Sequence, residues 1–136
     1  MTEILSRNFA DNVRIAKSRV MIDTAAGTYT IIPLPRMSLV KNVSINISRT
    51  WTASVFPTVT IGFIGNGETA DPDAFMRDID IAPAFTGYKS MLNGNAEWSD
   101  GKYFDSKGGA ITVTLGTMTA TVKGIFVVFC DYTIIY

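Results

Sequence analysis

Strict alternation of polar and apolar residues marks the stretch Asn42-Val43-Ser44-Ile45-Asn46-Ile47-Ser48, in which odd positions are apolar and even positions polar. Successive side chains of a β-strand point to opposite faces, so this period of two places the valine and both isoleucines on one face. The polar residues then line the other face, toward solvent. The stretch therefore predicts one strand of a half-buried antiparallel sheet.

The same alternation returns twice, in Thr58-Val59-Thr60-Ile61-Gly62-Phe63 and in Ala110-Ile111-Thr112-Val113-Thr114-Leu115. Apolar residues of one parity share a face of their strand, and a slip in register by one residue would expose all of them. We therefore expect the apolar side chains of both runs to point into one core: Val59, Ile61, Phe63, Ile111, Val113 and Leu115. Turn residues separate the alternating runs, which is typical of a sandwich or barrel.

The composition agrees with a single all-β domain. The chain has 136 residues, enough for one domain, and its 16 Thr, 15 Ile and 10 Val favour strands, because β-branched side chains fit an extended backbone. Hydrophobic residues make up 47% and charged residues 18%, the balance of a globular chain rather than a disordered one.

Further strands are predicted from shorter signals. One covers Val13 to Ile22, and a short one covers Tyr29 to Ile32 before Pro33 and Pro35 stop regular pairing. The segment from Arg49 to Pro57 is predicted to be a long bend between two strands.

The run from Ile125 to Tyr136 is apolar on both parities apart from Asp131 and Thr133. We predict a central strand covered on both sides, by the core and by either a neighbouring subunit or the folded-back segment from Val13 to Ile22. Cys130 lies in this run, where a free cysteine is expected to be a small buried hydrophobe.

Three segments are predicted to interrupt the strands. Asp71 and Pro72 fit a helix start, with Asp71 as the N-cap and Pro72 at the first helical position. Asp100-Gly101 between aromatic residues predicts a hairpin turn. The segment from Gly116 to Lys123 reads either as a strand or as a partly extended connection, and we favour the connection.

Charge and residue usage exclude several classes of function. Lys plus Arg and Asp plus Glu are 12 each, so the basic stripe of a nucleic-acid or membrane binder is not expected. The chain has no His, which removes the commonest general base and zinc ligand, and its single Cys cannot form an internal disulfide. No secretory signal or spanning segment is recognised, so synthesis in a reducing cytoplasm is expected.

Two motifs have some features of a binding site, one for a dinucleotide and one for calcium. Gly65-x-Gly67-x-x-Ala70 matches a dinucleotide fingerprint only superficially, since that fingerprint needs a helix directly after the glycines. Four carboxylates within ten positions are candidate calcium ligands, but their spacing is not that of a calcium loop: Asp71, Asp73, Asp78 and Asp80. We therefore predict no catalytic residue, no metal and no cofactor.

The chain resembles small tailed-bacteriophage virion proteins in the order of its segments: Val43-Ser44-Ile45-Asn46-Ile47, Thr58-Val59-Thr60-Ile61-Gly62, Asp71-Pro72-Asp73-Ala74-Phe75, Gly109-Ala110-Ile111-Thr112-Val113-Thr114-Leu115 and a last strand ending in Tyr132-Thr133-Ile134. The likeness covers residues 38–136. It implies a single antiparallel β-sandwich, jelly-roll-like, over 38–136, preceded by an extended N-terminal strand or arm over 1–37.

The resemblance implies a non-enzymatic structural protein that binds and stabilises the bacteriophage capsid shell, as a decoration or cement protein at the capsid surface. Its partners would be the major capsid protein or other virion proteins and further copies of the chain, with a trimer favoured because local threefold positions of a shell select trimers. Surplus aromatic side chains are the expected interface: Trp51, Phe56, Trp98, Tyr103 and Phe104.

Two other functions stay open. A receptor- or carbohydrate-binding module, such as a fibre tip, would use Trp51, Trp98 and Tyr103 to stack on its ligand. A metal-dependent enzyme would be centred on the carboxylates between Asp71 and Asp80.

Overall fold

The computed structural model describes residues 13–21, 26–49, 52–55, 58–80, 87–91, 96–98, 100–116, 119–122 and 125–135. These residues form eleven β-strands: β1 Val13–Met21, β2 Gly27–Leu34, β3 Ser38–Arg49, β4 Thr52–Val55, β5 Thr58–Gly65, β6 Asp71–Asp80, β7 Gly87–Ser90, β8 Lys102–Phe104, β9 Gly109–Leu115, β10 Thr119–Val122 and β11 Ile125–Ile134.

The strands form two packed sheets and a two-stranded ribbon. The first sheet has the order β1-β11-β3-β7, and β8 pairs with β3 next to its start. The second sheet has the order β2-β9-β5-β6, and the ribbon pairs β4 with β10. Every one of these pairings is antiparallel. The prediction of an antiparallel β-sandwich is confirmed.

Strands β5 and β9 bring their apolar faces into register in the second sheet. Val59 lies opposite Leu115, Ile61 opposite Val113 and Phe63 opposite Ile111, and all six side chains are buried. The predicted common core is confirmed.

The first sheet supplies the opposite wall of the core through β3 and β11. The buried residues of the two strands lie opposite one another: Cys130 and Val43, Val128 and Ile45, Phe126 and Ile47. Strand β11 lies between β1 and β3, as predicted. Its other face, which carries Val127, Phe129 and Asp131, is only half-buried, so the described part of the chain fully covers one face of β11 and not both.

The predicted helix start at Asp71 is wrong, because residues 71–80 form β6 and pair with β5. Gly62 of β5 makes this pairing possible: a Cβ atom there would collide with the backbone carbonyl of Asp71. The sandwich also buries Ala74, Phe75 and Met76. Long-range pairing and burial thus override the local cap signal.

Three other local predictions need correction. Strand β2 continues through Pro33, which lies opposite Ala110, because β2 is an edge strand in which a missing N–H is tolerated. The predicted bend from Arg49 to Pro57 contains β4, and the predicted connection from Gly116 to Lys123 contains β10.

The turn at Asp100-Gly101 is present, with the Gly101 N–H donating to the Trp98 carbonyl at 2.9 Å. The strand that follows this turn, β8, pairs with β3. The turn therefore does not connect two neighbouring strands, as the predicted hairpin would. The alternative in which the segment from Val13 to Ile22 folds back over the face of the last strand is wrong. Strand β1 instead lies beside β11 in the same sheet.

Candidate interaction surfaces

Three turns meet at one end of the sandwich, which we name the loop end: those after β2, after β5 and after β8. The Met37 N–H donates to the Asp105 carbonyl at 2.8 Å, and the Asn66 N–H donates to the Gly108 carbonyl at 2.8 Å. The Asn66 side-chain oxygen Oδ1 accepts from the Asp105 N–H, also at 2.8 Å. The turns therefore support one another through hydrogen bonds rather than projecting separately.

Met37 occupies a strained position in the first of these turns. Its φ of 63° is in the left-handed region, which costs a residue with a side chain roughly 1–2 kcal/mol. The Met37 carbonyl accepts from the Ile135 N–H at 2.7 Å, and the Tyr103 hydroxyl donates to the Met37 sulfur at 2.9 Å. These contacts hold Met37 between the end of β11 and the Tyr103 side chain of β8.

Apolar side chains are exposed around Met37. Tyr103 is 41% and Ile135 is 43% accessible to solvent. Exposed large apolar groups that lie next to one another and have a polar rim are typical of protein interaction sites. The loop end is therefore the first candidate interaction surface.

Lys102 lies beneath this surface, because its position in β8 alternates with that of Tyr103 and points inward. Its side chain is 4% exposed, and its ammonium lies 3.9 Å from the Trp98 ring centroid and 4.6 Å from that of Phe63. Oε2 of Glu68 lies 2.9 Å from the same nitrogen. A buried ammonium is costly unless it is paired, and here one carboxylate and the aromatic faces compensate it.

Glu68 has a second partner in the turn after β5. The Asn66 amide nitrogen Nδ2 donates to Oε2 of Glu68 at 2.8 Å. The hydrogen bond from Lys102, and then that from Asn66, lower the pKa of the Glu68 carboxyl below its ordinary value. The buried Lys102 and the more exposed Glu68 and Asn66 thus form one polar group at the loop end.

A second candidate lies on the face of the first sheet that points away from the core, which we name the outer sheet face. Ile15 is 69% exposed there, and it lies opposite Asp131 of β11. Ile15 and Asp131 line a shallow groove of about 390 Å³ together with Asn42, Ser44, Asn46 and Phe129. A half-buried phenylalanine beside an exposed isoleucine provides apolar area for a partner to cover.

The five aromatic residues predicted to form an interface have different environments. Tyr103 is exposed at the loop end, whereas Trp98 is partly buried against Lys102 and the core. Phe104 is fully buried, with its ring 5.5 Å from that of Phe63 in an edge-to-face arrangement, so it has no area to offer a partner. Trp51 and Phe56 lie outside the described residues.

Two carboxylates of β6, those of Asp71 and Asp73, interact with neighbouring side chains. Asp73 forms an ion pair with Arg77 at 3.2 Å. Partial desolvation and then a hydrogen bond with Asp73 raise the pKa of Asp71. Among the described residues, no three His, Cys, Asp or Glu side chains are close enough to hold a metal ion together. Within the same residues, no helix has the length and apolarity to cross a membrane.

Sequence motifs alone would not have found Lys102, Glu68 and Asn66. A single lysine after an Asp-Gly turn is ordinarily solvated, and its burial here depends on Trp98 and Phe63, which come from separate segments. The sequence carried one signal for this burial. Residues 102 and 104 of a strand lie on the same face, so Lys102 is expected on the face of Phe104.

Comparison with solved structures places this fold among bacteriophage capsids. One chain of the cyanophage Pam1 capsid asymmetric unit superposes with a TM-score of 0.67 and 16% identity, over 91% of this chain and 86% of that one. One chain of the Helicobacter pylori bacteriophage KHP30 capsid gives 0.61 and 17% identity, over 89% and 88% of the two chains. The chain shares its fold with chains of phage capsids.

A third similar chain comes from the capsid of Ralstonia phage GP4, with a TM-score of 0.63 and 11% identity, over 93% of this chain and 86% of that one. Because each match covers nearly all of both partners, the similar chains are close to this one in length. No protein-family model and no curated protein sequence matches the chain. At these identities the likeness concerns the fold.

Proposed function

We propose that the chain is a non-enzymatic structural component of a bacteriophage virion, which binds the capsid shell and stabilises it as a cement or decoration protein. The observation that carries the proposal is the near-complete superposition on a chain of the Pam1 capsid, over 91% of this chain and 86% of that one. Similar lengths argue for whole subunits of the same kind rather than a module shared by unlike proteins.

The strand order supports a jelly-roll topology, which the resemblance to virion proteins implies. The sheets have the orders β1-β11-β3-β7 and β2-β9-β5-β6, and β1, β2 and β3 alternate between the two sheets. Strands β5 and β6 are adjacent in the second sheet. The next three strands of the two sheets alternate again, with β7 in the first sheet, β9 in the second and β11 in the first. Such an arrangement of eight strands is what two Greek keys folded into a jelly roll would have.

The two candidate surfaces support two kinds of contact. We assign the loop end, with Tyr103, to the capsid shell, and the outer sheet face, with Ile15, to further copies of the chain in a trimer. The N-terminal segment over 1–37 contributes β1 and β2 to the sandwich of its own chain, and we propose that it also contacts a neighbouring copy through β1. Its strand β1 is an edge strand of the first sheet, and edge strands are suited to pairing with another chain.

The test of location is to purify virions of the phage that encodes the chain and to count its peptides by mass spectrometry against those of the major capsid protein. A surface structural protein should be present in a fixed ratio to the shell subunit and should be accessible to antibody on intact particles. Presence only in the lysate of infected cells would overturn the proposal. Labelling only at the tail end of the particle would instead indicate a fibre-tip module.

A further inference from the structure

We propose that the loop end is an acid-sensitive contact: protonation of Glu68 leaves the buried ammonium of Lys102 without a counter-ion, and the turn after β5 then separates from β8. Both carboxylate oxygens of Glu68 contact the Lys102 nitrogen, Oε1 at 3.2 Å and Oε2 at 2.9 Å. This ion pair joins the turn to the strand that carries Tyr103. The structural change is a property of the chain alone, and only its consequence, weaker attachment to a capsid shell, rests on the proposed function.

The two charges of this ion pair differ in their access to water. The Lys102 side chain is 4% exposed and that of Glu68 is 44% exposed, so solvent protons reach the carboxylate while the ammonium stays enclosed. Without the carboxylate, the ammonium is left beside the aromatic rings of Trp98, Phe63 and Phe104. Their attraction is smaller than the cost of removing an ammonium from water. Protonation of Glu68 therefore creates a buried charge that is stabilised by exposure to water.

The turn after β5 is the element that moves most easily to expose this charge. Its residues 67–70 are exposed, whereas β8 is paired with β3. Exposed turns with few buried contacts open at the lowest free energy. In the same turn, the Asn66 side chain donates from Nδ2 to the Tyr103 carbonyl at 3.4 Å and accepts at Oδ1 from the Asp105 N–H at 2.8 Å. Displacement of the turn would therefore hydrate Lys102 and release the backbone around Tyr103.

The direction of the pH dependence follows from the Glu68 carboxyl. The hydrogen bond from Lys102, and then that from Asn66, lower its pKa below the ordinary 4.5. A group whose pKa is lowered by folding contributes stability above its ordinary pKa and loses it as the pH falls through the lowered value. The ion pair therefore holds the loop end above pH 4.5 and is lost in more acidic solution.

Other charged side chains lie on the elements around Glu68: Asp105 and Lys107 in the turn after β8, Asp71 at the start of β6, and Glu97. Lys107 lies over the same turn, since a Cβ atom at Gly67 would be 2.6 Å from its nitrogen, but a lysine keeps its charge in acid. Asp105 accepts at Oδ1 from the Lys107 N–H at 3.0 Å, within its own turn. Asp71 acts in the opposite direction, because desolvation and then a hydrogen bond with Asp73 raise its pKa.

The test is amide hydrogen exchange of the full chain at neutral pH, followed by NMR, because Glu68→Gln reproduces the uncharged side chain without acid. The amides to follow are those of Asn66, which donates to the Gly108 carbonyl at 2.8 Å, and Asp105, which donates to the Asn66 side chain. Both should exchange about tenfold faster or more in Glu68→Gln than in the unaltered chain. Glu97→Gln, at an exposed carboxylate, is the matched control and should leave both rates unchanged. Equal rates in the two variants would overturn the proposal.

A second substitution distinguishes an unpaired buried charge from a lost hydrogen bond. Lys102→Met keeps an unbranched side chain beside the rings and removes the charge. Glu68→Gln combined with Lys102→Met should therefore return both exchange rates toward those of the unaltered chain. Fast exchange that persists in the double variant would show that the carboxylate contacts alone hold the turn, and would contradict the proposed cause.

Acid titration identifies the group that titrates. In the unaltered chain, the NMR signals of the Asn66 and Asp105 amides should shift together with a midpoint below pH 4.5, and Glu68→Gln should lack this midpoint. A midpoint that is retained in Glu68→Gln would assign the titration to another carboxyl group and overturn the proposal.

Binding to capsid shells at neutral pH is measured separately. Glu68→Gln should bind about fivefold more weakly than Glu97→Gln, because the backbone of Tyr103 is no longer held. If the unaltered chain does not bind shells, the proposed function fails, and the exchange rates still decide whether the contact is acid-sensitive. Equal shell binding by the two variants, with fast exchange in Glu68→Gln, would overturn the role of this contact in attachment.

Discussion

Ile61 and Val113 lie directly opposite each other on β5 and β9, and neither side chain is accessible to solvent. Their pairing aligns the buried faces of two strands that are separated by about fifty positions of sequence. The next residue of β5, Gly62, lies where the backbone of β6 approaches, because a Cβ atom there would collide with the Asp71 carbonyl.

Replacement of Ile61 by Ala should lower the free energy of unfolding by roughly 2–5 kcal/mol, because it leaves a cavity in a packed core. Ile64→Ala on the same strand is the matched control and should cost about 1 kcal/mol or less, since Ile64 is partly exposed. Denaturant titration measures both. Equal losses for the two variants would contradict the register.

The alternating strands were predictable because a period of two with one wet face is a local property of the sequence. Val43, Ile45 and Ile47 are buried for that reason. Strand β6 was not predictable, because the Asp71-Pro72 pair is a good helix start in isolation. Its conformation depends on pairing with β5, a contact between separate strands that the absence of a Cβ at Gly62 allows.

Cys130 should resist thiol reagents in the folded protein. Burial, and then the nearby charge of Asp131, raise the pKa of its thiol to about 12, so almost no thiolate exists near neutral pH. We expect labelling by a maleimide only after addition of denaturant. Rapid labelling of the native protein would place Cys130 at the surface and contradict its packing against β3.

Asp71 should give the stability a defined dependence on pH. Because its pKa is raised in the folded state above the ordinary 3.8, its protonated form is stabilised by folding. That stabilisation is complete below 3.8 and is lost as the pH rises through the raised value. The stability of the unaltered protein relative to Asp71→Asn should therefore increase on acidification.

Unfolding titrations across this pH range measure the difference, and Asp100→Asn controls for the loss of one negative charge at an exposed turn. A difference between the unaltered protein and Asp71→Asn that moves the other way with pH would show that Asp71 is better solvated than its contacts indicate.

The two candidate surfaces should respond to different substitutions. Tyr103→Ser at the loop end should weaken binding to capsid shells by about fivefold or more, the size expected for an aromatic anchor of an interface, with self-association unchanged. Ile15→Arg should do the reverse, because it places a charge on the outer sheet face. Thr30→Arg, at an exposed position of the second sheet, is the control for an added charge and should change neither.

Much of the candidate site followed from tertiary structure rather than from sequence. Aromatic content predicted that Tyr103 and Phe104 belong to one surface, but adjacent residues of a strand point to opposite faces, and Phe104 is buried against Phe63. The strained Met37 and the buried Lys102 depend on contacts with the turn after β8 and with Glu68, which no local pattern specifies.

Association of copies through the outer sheet face should make stability depend on concentration, since burying Phe129 and Ile15 would couple folding to assembly. Light scattering and melting curves across roughly a hundredfold dilution measure this. We expect the oligomer to dissociate and the melting temperature to fall together. A monomer with a constant melting temperature at every concentration would exclude the trimer.

A protein that binds and stabilises a capsid shell should raise the thermal stability of that shell. Capsids from a phage whose gene for this chain is disrupted are heated with and without the purified protein, and release of the packaged DNA is followed by a fluorescent dye. We expect the added protein to bind the particles and to raise the temperature of release. Binding without any change in that temperature, or no binding at all, would contradict it.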